Sequence, residues 1–258
     1  MGLLLKAGIN IDLIKTAFIA FFSISFLILA INKLTFLKRF LPDFCYQFGG
    51  LIGNTSFLGI PIAIAILPTQ IINFTIGFDL GTTFFAWLFG PYLLQNKKVK
   101  FNLQNFNSLV ISIFNSPASK GIIGALMAYI LGLENIAGNV LWIPARIVII
   151  TAIIVVGTRL GIIINDKKEV FNLKDNVKYS IILKLLIFPS IIFLICKALG
   201  LGQIETLALV LQAGTPTAIS TILMAEAYKK NQDIAARILF ISTIISVLTI
   251  PLFVLLIN

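Results

Sequence analysis

The sequence predicts an all-α integral membrane protein with about eight transmembrane helices, inverted repeats and two broken helices that cross. Three observations carry this prediction. Of the 258 residues, 59% are hydrophobic and only 12% are charged, whereas a soluble domain carries about 25% charged residues. The apolar residues form long runs without the alternation of β-strands, which argues against a barrel. Two of these runs are interrupted by Gly and Pro at matching places.

Eight stretches approach the roughly 20 apolar residues that a helix needs to cross a bilayer. The fourth stretch is the shortest and has the least defined ends. We predict the spans, in chain order, at Ile11–Asn32, Asp43–Leu67, Asn73–Gln95, Lys120–Leu133, Val140–Ile164, Tyr179–Gly200, Glu205–Tyr228 and Ile234–Ile257.

The connections between the predicted spans divide by charge. Lys and Arg follow the first, third, fifth and seventh spans, and neither occurs in the connections after the second, fourth and sixth. Because cytoplasmic loops carry an excess of these residues, we place the first group in the cytoplasm and both termini outside. We therefore attribute the net charge of +10 to cytoplasmic loops, and we expect no nucleic-acid partner. The prediction is a multi-pass protein of the cell membrane, which in a bacterium is the inner membrane.

The chain divides into four predicted segments: three spans in 1–95, a cytoplasmic linker in 96–119, two helices in 120–164 and three spans in 165–258. A shift of 162 residues places the second span on the seventh and the third on the eighth, and the first lies near the sixth at an offset of 168. Corresponding spans are five apart, so the two triplets run in opposite directions. Inverted repeats of this kind are typical of secondary transporters.

The second and seventh spans contain residues that break helices. One contains the run Gly53-Asn54-Thr55-Ser56-Phe57-Leu58-Gly59-Ile60-Pro61, the other Gln212-Ala213-Gly214-Thr215-Pro216-Thr217. Proline removes a backbone donor, and glycine tolerates unusual dihedral angles. Irregular backbone at membrane depth is viable only where it lines a cavity or is buried in protein. Half-helix N-termini offer free N–H groups and positive dipole ends, so two opposed breaks predict one anion site.

The first of these runs resembles the GNTGFLGLP signature of the auxin efflux carrier family of membrane transporters. Leu211–Pro251 is similar to the family's last two helices, and Lys184-Leu185-Leu186-Ile187-Phe188-Pro189 to the helix before them. Ser56 stands where the family usually has glycine, and Gly214-Thr215-Pro216 where a more apolar, proline-rich run is common.

The resemblance implies two inverted five-helix repeats whose fourth and ninth helices are broken and cross near the substrate. On that alignment the chain lacks the family's first two helices. It would keep all six helices of the transport domain but only half of the scaffold that also dimerises, so a homodimer is left open.

Seven residues at the breaks are candidate substrate-binding residues for a small organic anion such as a carboxylate. We expect the Asn54 amide to bond the substrate, hydroxyl or backbone groups to contribute at the threonines, and the prolines to hold the breaks open. The candidates are Asn54, Thr55, Pro61, Gln212, Gly214, Thr215 and Pro216.

Charged residues inside the spans are further candidates. Asp79 is the only acidic residue well inside a span and could carry a proton, bind a cation or pair with Arg146, which lies at a similar depth. The alternative is that Asp79 makes a structural polar contact near the outer interface. Lys184 lies near the cytoplasmic end of its predicted span, where a snorkelling stem explains it.

The composition also limits the alternatives. The chain has no His, which excludes His-based catalysis, Ser-His-Asp triads and HExxH zinc sites in it. An aspartyl protease needs two embedded Asp residues, so we expect no enzyme, metal or cofactor. Two other functions stay open: a sodium-coupled carrier in the style of bile acid symporters, and a shortened membrane subunit that does not transport. The expected partners are the lipid bilayer and the substrate anion.

Overall fold

A computed structural model of the protein describes residues 2–8, 10–94, 117–166, 173 and 176–257. Within these ranges the chain is helical, and the only β-pairing described is an isolated bridge. Two five-residue π-helical turns occur at Thr55–Gly59 and Leu183–Ile187, and a 3-10 turn at Thr69–Ile71. The α-helices are α1 (Gly2–Ala7), α2 (Ile11–Lys33), α3 (Thr35–Phe40), α4 (Phe44–Leu51), α5 (Ile60–Ile66), α6 (Ile72–Leu94), α7 (Pro117–Ile130), α8 (Glu134–Asp166), α9 (Val177–Ile182), α10 (Phe188–Ala198), α11 (Gln203–Ala213), α12 (Ile219–Ala227) and α13 (Gln232–Ile257).

Four described helices are long and apolar enough to cross a membrane: Ile11–Lys33, Ile72–Pro91, Val177–Ala198 and Gln232–Ile257. The second and seventh predicted spans are each divided into two shorter helices, and α7 has 14 residues. These pieces fall short of the roughly 20 residues that a single spanning helix needs. The count of eight spans and the inverted repeat therefore stay predictions, and the predicted linker lies outside the described residues except at 117–119.

Two of the helices begin at side-chain caps that the sequence supplies. The Asn10 carboxylamide oxygen accepts the Leu13 N–H at 2.9 Å at the start of α2. The Asp43 carboxylate accepts the Cys45 N–H at 2.9 Å at the start of α4. Such caps satisfy N–H groups that have no acceptor in a preceding turn. The first interrupted helix therefore has a defined beginning as well as a defined break.

Helices α2 and α6 pack closely because α6 has glycine where the two backbones approach. A side chain at Gly77 would overlap Thr16 and the Leu13 carbonyl, and one at Gly81 would overlap the Ala17 carbonyl. Small residues allow this close approach between membrane helices. The contact continues through Phe21, whose ring centroid lies 5.8 Å from that of Phe85. This packing fixes the position of α6, which carries Asp79.

Helix α11 lies at the centre of the core, and large apolar side chains cover the outside. Ala208, Leu209 and Val210 are all 0% exposed, whereas Phe26 on α2 is 69% exposed and Leu255 on α13 is 79% exposed. Extended apolar surface of this kind marks a membrane-facing protein. The segment that carries the second break is therefore sheltered from lipid.

Candidate functional site

The break after α4 and the break after α11 meet and pair through their backbones. The Asn54 N–H donates to the Pro216 carbonyl at 2.7 Å, and the Ala218 N–H donates to the Ile52 carbonyl at 2.9 Å. These bonds form an antiparallel bridge between Gly53 and Thr217. Buried backbone groups that leave a helix need other partners. Each break supplies partners for the other, and this pairing defines what we call the crossing (residues 52–54 and 214–218).

Side chains tie the crossing to its neighbours. The Thr217 hydroxyl donates to the Gly49 carbonyl of α4 at 2.6 Å, and the Thr217 N–H donates to the Ser242 hydroxyl of α13 at 3.1 Å. Gly53 has no room for a side chain, because a Cβ atom there would overlap the Thr215 hydroxyl. Glycine at position 53 therefore serves close approach of the two breaks.

A cavity of about 250 Å³ lies beside the crossing. The helical segment that follows each break begins at the wall of this cavity. The first of these half-helices begins at Thr55, and the second, α12, begins at Ile219. The first N–H groups of a helix have no acceptor in a preceding turn and carry the positive end of the helix dipole. Thr82 and Thr83 of α6 add hydroxyl groups to the wall, and Trp87 adds an apolar surface. The cavity wall therefore combines half-helix N-termini and hydroxyl groups with an apolar surface.

Asp79 lies at the first break, a position that its place in the sequence did not indicate. Its carboxylate accepts hydrogen bonds from the Thr55 hydroxyl at 2.5 Å and from the Ser56 hydroxyl at 2.6 Å. Asp79 is 9% exposed. A carboxylate at the start of a helix is stabilised by the positive dipole end. The side chain of Arg146 lies outside the described residues, so the Asp79–Arg146 pair stays a prediction.

The seven candidate residues take different positions around the crossing. Asn54 and Thr55 line the cavity, and Pro61 stands in the first turn of α5. Gly214 caps the end of α11, and Thr215 donates its hydroxyl to the Gln212 carbonyl at 2.7 Å. The Pro216 carbonyl belongs to the backbone bridge, and Gln212 lies in the last turn of α11. Among the candidates, only Asn54 and Thr55 lie in the cavity wall.

Gln212 is buried without a polar partner for its side chain. It is 0% exposed, and neither its Oε1 nor its Nε2 atom has a hydrogen-bond partner among the described residues. A Cβ atom at Gly59 would overlap this Oε1. Gln212 thus spans from α11 to the π-helical turn. An unpartnered buried amide costs about 1–3 kcal/mol, which sets it apart from an ordinary packing residue.

Comparisons with known proteins relate the chain to membrane transporters. A family model described as membrane transport protein matches residues 121–254, which is more than half of the chain.

The chain belongs to this membrane transport protein family.

The resemblance to auxin efflux carriers is thereby confirmed. The chain is also similar to an uncharacterized transporter of Methanocaldococcus jannaschii, with 23% identity over 212 residues that cover 80% of this chain and 67% of the relative. No solved structure matches the chain significantly. The family is one of transporters and not of enzymes, and its apolar helices make this member a multi-pass membrane protein.

In this member of the membrane transport protein family, Lys184 does not snorkel as the sequence predicted. It is 0% exposed, and its amine donates to the Ala213 carbonyl at 2.5 Å. The Lys184 side chain is therefore directed into the core and toward α11, and not toward an interface. The signal that identifies it is a charged residue within an apolar run.

Four further polar residues of the site were not among the candidates predicted from the sequence. Ser56 bonds Asp79, while Thr82, Thr83 and Ser220 line the cavity. Hydroxyl residues are common in membrane helices and often bond their own backbone. Their sequence positions alone therefore do not distinguish a cavity wall from a helix interior.

Proposed function

We propose that the protein is a secondary transporter, most simply an efflux carrier, for small organic anions such as carboxylates. The observation that carries the proposal is the cavity into which both half-helices direct their N-termini. Backbone N–H groups and a positive dipole end favour a negative charge. Burial beside a low-dielectric wall strengthens that attraction compared with water.

The two half-helix ends differ in what already lies beside them. Asp79 places a carboxylate at the Thr55 end through its bonds to Thr55 and Ser56. At the α12 end, Ile219 and Ser220 line the cavity, and no hydrogen bond described for either residue comes from an acidic side chain. We therefore assign the substrate carboxylate to the α12 end. The Asn54 amide, which also lines the cavity, orients the substrate by hydrogen bonding, and Trp87 contacts its apolar part.

Alternating access is the mechanism we propose for this site, whose described lining residues all belong to the helices of 1–95 and 165–258. The helices of 1–95 and 165–258 move as a transport domain against the helices of 120–164. The crossing is held by backbone bonds and by Thr217, so it moves as a unit and the cavity opens to one side at a time. Transporters of this construction bind substrate near the bilayer midplane. We place this one in the cell membrane with both termini outside.

The test is counterflow in liposomes that contain the purified full chain. A panel of labelled monocarboxylates and dicarboxylates is compared with amino acids and with organic cations of similar size. We expect carboxylate exchange, and we expect Asn54→Ala to reduce its rate about tenfold or more, since a hydrogen bond to a charged group contributes about 1.5–3 kcal/mol. Ser190→Ala is the control, because its exposed hydroxyl bonds only the Leu186 carbonyl of its own helix.

Two results would contradict the proposal. Exchange of cations but of no carboxylate would remove the anion assignment. Wild-type rates in Asn54→Ala for every transported substrate would remove the site assignment while leaving transport intact.

A further inference from the structure

Lys184 places a cationic group at the crossing itself. Its amine donates to the carbonyl of Ala213, the last residue of α11. The same amine lies where it would be 2.9 Å from a Cβ atom at Gly53, in the other break. It also lies 5.0 Å from the centroid of the Phe188 ring. One side chain of a third span thus reaches both breaks.

The groups around this amine carry partial negative charge. The last carbonyls of a helix have no intrahelical donor, and the C-terminal end of the dipole is negative. Helix α11 ends at Ala213, and α4 ends at Leu51, two residues before Gly53. In carriers with interrupted helices, unwound carbonyls and half-helix C-termini are the groups that hold a coupling Na⁺ or H⁺. Lys184 occupies the equivalent electrostatic position here.

A second lysine of the same span shows that this burial is specific. Lys197 lies 5.5 Å from the ring of Phe193, a ring contact like that of Lys184. It stands in the last turn of α10 and is exposed, as expected for a stem that reaches toward the interface. A buried charge in a membrane is retained where it pairs with backbone carbonyls or other charges. The Ala213 carbonyl gives Lys184 such a partner.

We propose that the amine of Lys184 is a tethered cation that takes the place of an exchangeable coupling cation at the crossing. The carrier therefore needs no sodium, and removal of the amine opens a site for a monovalent cation among the carbonyls of the two breaks. The consequence for coupling rests on the proposed function, whereas the cation site itself does not.

The experiment measures the thermal unfolding midpoint, Tm, of purified full-length protein in sodium, potassium and choline chloride at equal ionic strength. We expect the wild type and Lys197→Ala to have the same Tm in all three salts. Lys184→Ala should unfold about 5 °C lower in choline, because the Ala213 carbonyl loses its donor. Sodium or potassium should restore part of that loss with a saturable concentration dependence.

Substrate exchange by the wild type supplies a second measurement. Replacement of sodium by choline should leave its rate unchanged. A saturable rise of the wild-type Tm with sodium, or exchange that requires sodium, would overturn the proposal. So would a Tm of Lys184→Ala that is equal in all three salts.

If Lys184→Ala does not fold, Lys184→Met is used, because its unbranched side chain keeps most of the volume without the charge. If neither variant folds, the wild-type measurements decide, since sodium independence supports the proposal and sodium dependence overturns it. Failure of the proposed function is distinguishable. A Lys184→Ala protein whose Tm responds to sodium, in a chain that exchanges no carboxylate, retains the cation site and removes only the anion carrier.

Discussion

The carboxylate of Asp79 should be among the most important polar groups for the stability of the first break. It accepts two short hydrogen bonds, from Thr55 at 2.5 Å and from Ser56 at 2.6 Å. Bonds to a charged group contribute about 1.5–3 kcal/mol each, roughly twice as much as neutral ones. Asp79→Asn keeps an acceptor oxygen but loses the charge. The expected loss from the two bonds is therefore about 1.5–3 kcal/mol.

The helix dipole adds to this loss. A carboxylate at a helix start contributes about 0.3–1 kcal/mol when exposed and up to about 2 kcal/mol when partly buried. The summed loss of about 2–4 kcal/mol corresponds to a fall in Tm of about 5–12 °C for a chain of this size. The assay is thermal unfolding of the purified protein in detergent, followed by circular dichroism.

Asp12→Asn is the matched control for this substitution. Asp12 lies in the first turn of α2, so its carboxylate, like that of Asp79, is close to the start of a helix. It forms an ion pair with Lys15 at 3.6 Å, but the Asp12 and Lys15 side chains are 44% and 66% exposed. Exposed pairs contribute about 1 kcal/mol or less. Equal Tm values for Asp79→Asn and Asp12→Asn would show that the Asp79 carboxylate does not stabilise the first break. A double-mutant cycle of Asp79→Asn with Thr55→Val should show coupling of about 1 kcal/mol or more.

Two further substitutions test the packing of the crossing. Gly53→Ala should lower the free energy of unfolding by about 1–3 kcal/mol, because the added methyl group overlaps the Thr215 hydroxyl. The control is Gly157→Ala on α8, where a Cβ atom meets nothing within 4 Å, and it should be neutral or stabilising by up to about 1 kcal/mol. Equal denaturant midpoints for these two variants would contradict the overlap. Gln212→Leu should leave the denaturant midpoint unchanged or raise it, because it removes two unpartnered buried polar atoms. Carboxylate exchange by this variant should fall if the amide serves transport, and a lower midpoint would show that the amide has a stabilising partner.

Local sequence chemistry explains why the breaks could be located in advance. Gly53 and Asn54 lie where α4 has ended, and Gly214 to Pro216 lie where α11 has ended. Glycine, asparagine and proline disfavour a continuous helix through their own backbone properties. Hydropathy alone predicts each interrupted segment as one continuous span, because a few extended residues within an apolar run do not change its mean hydropathy. The structure divides each segment into two shorter helices.

Side-chain direction explains why the partners of the charged residues could not be predicted. Asp79 was identified as a candidate because it lies inside a span, but its partner Thr55 lies 24 positions away in the chain. Lys184 was interpreted as a snorkelling residue, yet its acceptor Ala213 lies 29 positions away. Both contacts depend on which face of the helix lies toward the crossing. The rotation of each helix about its axis is set by packing, as at the close approach of α2 and α6 at Gly77.

Composition and short runs of residues were enough to predict that the protein lies in a membrane, where two of its helices are interrupted and which family it resembles. These properties depend on neighbouring residues, so they can be inferred without knowledge of the fold. The pairing of the two breaks through Asn54 and Pro216, and the approach of Asp79 and Lys184 to them, became evident from the packed helices. Interrupted backbone groups must find partners, and the distant segment that supplies these partners is selected when the helices pack.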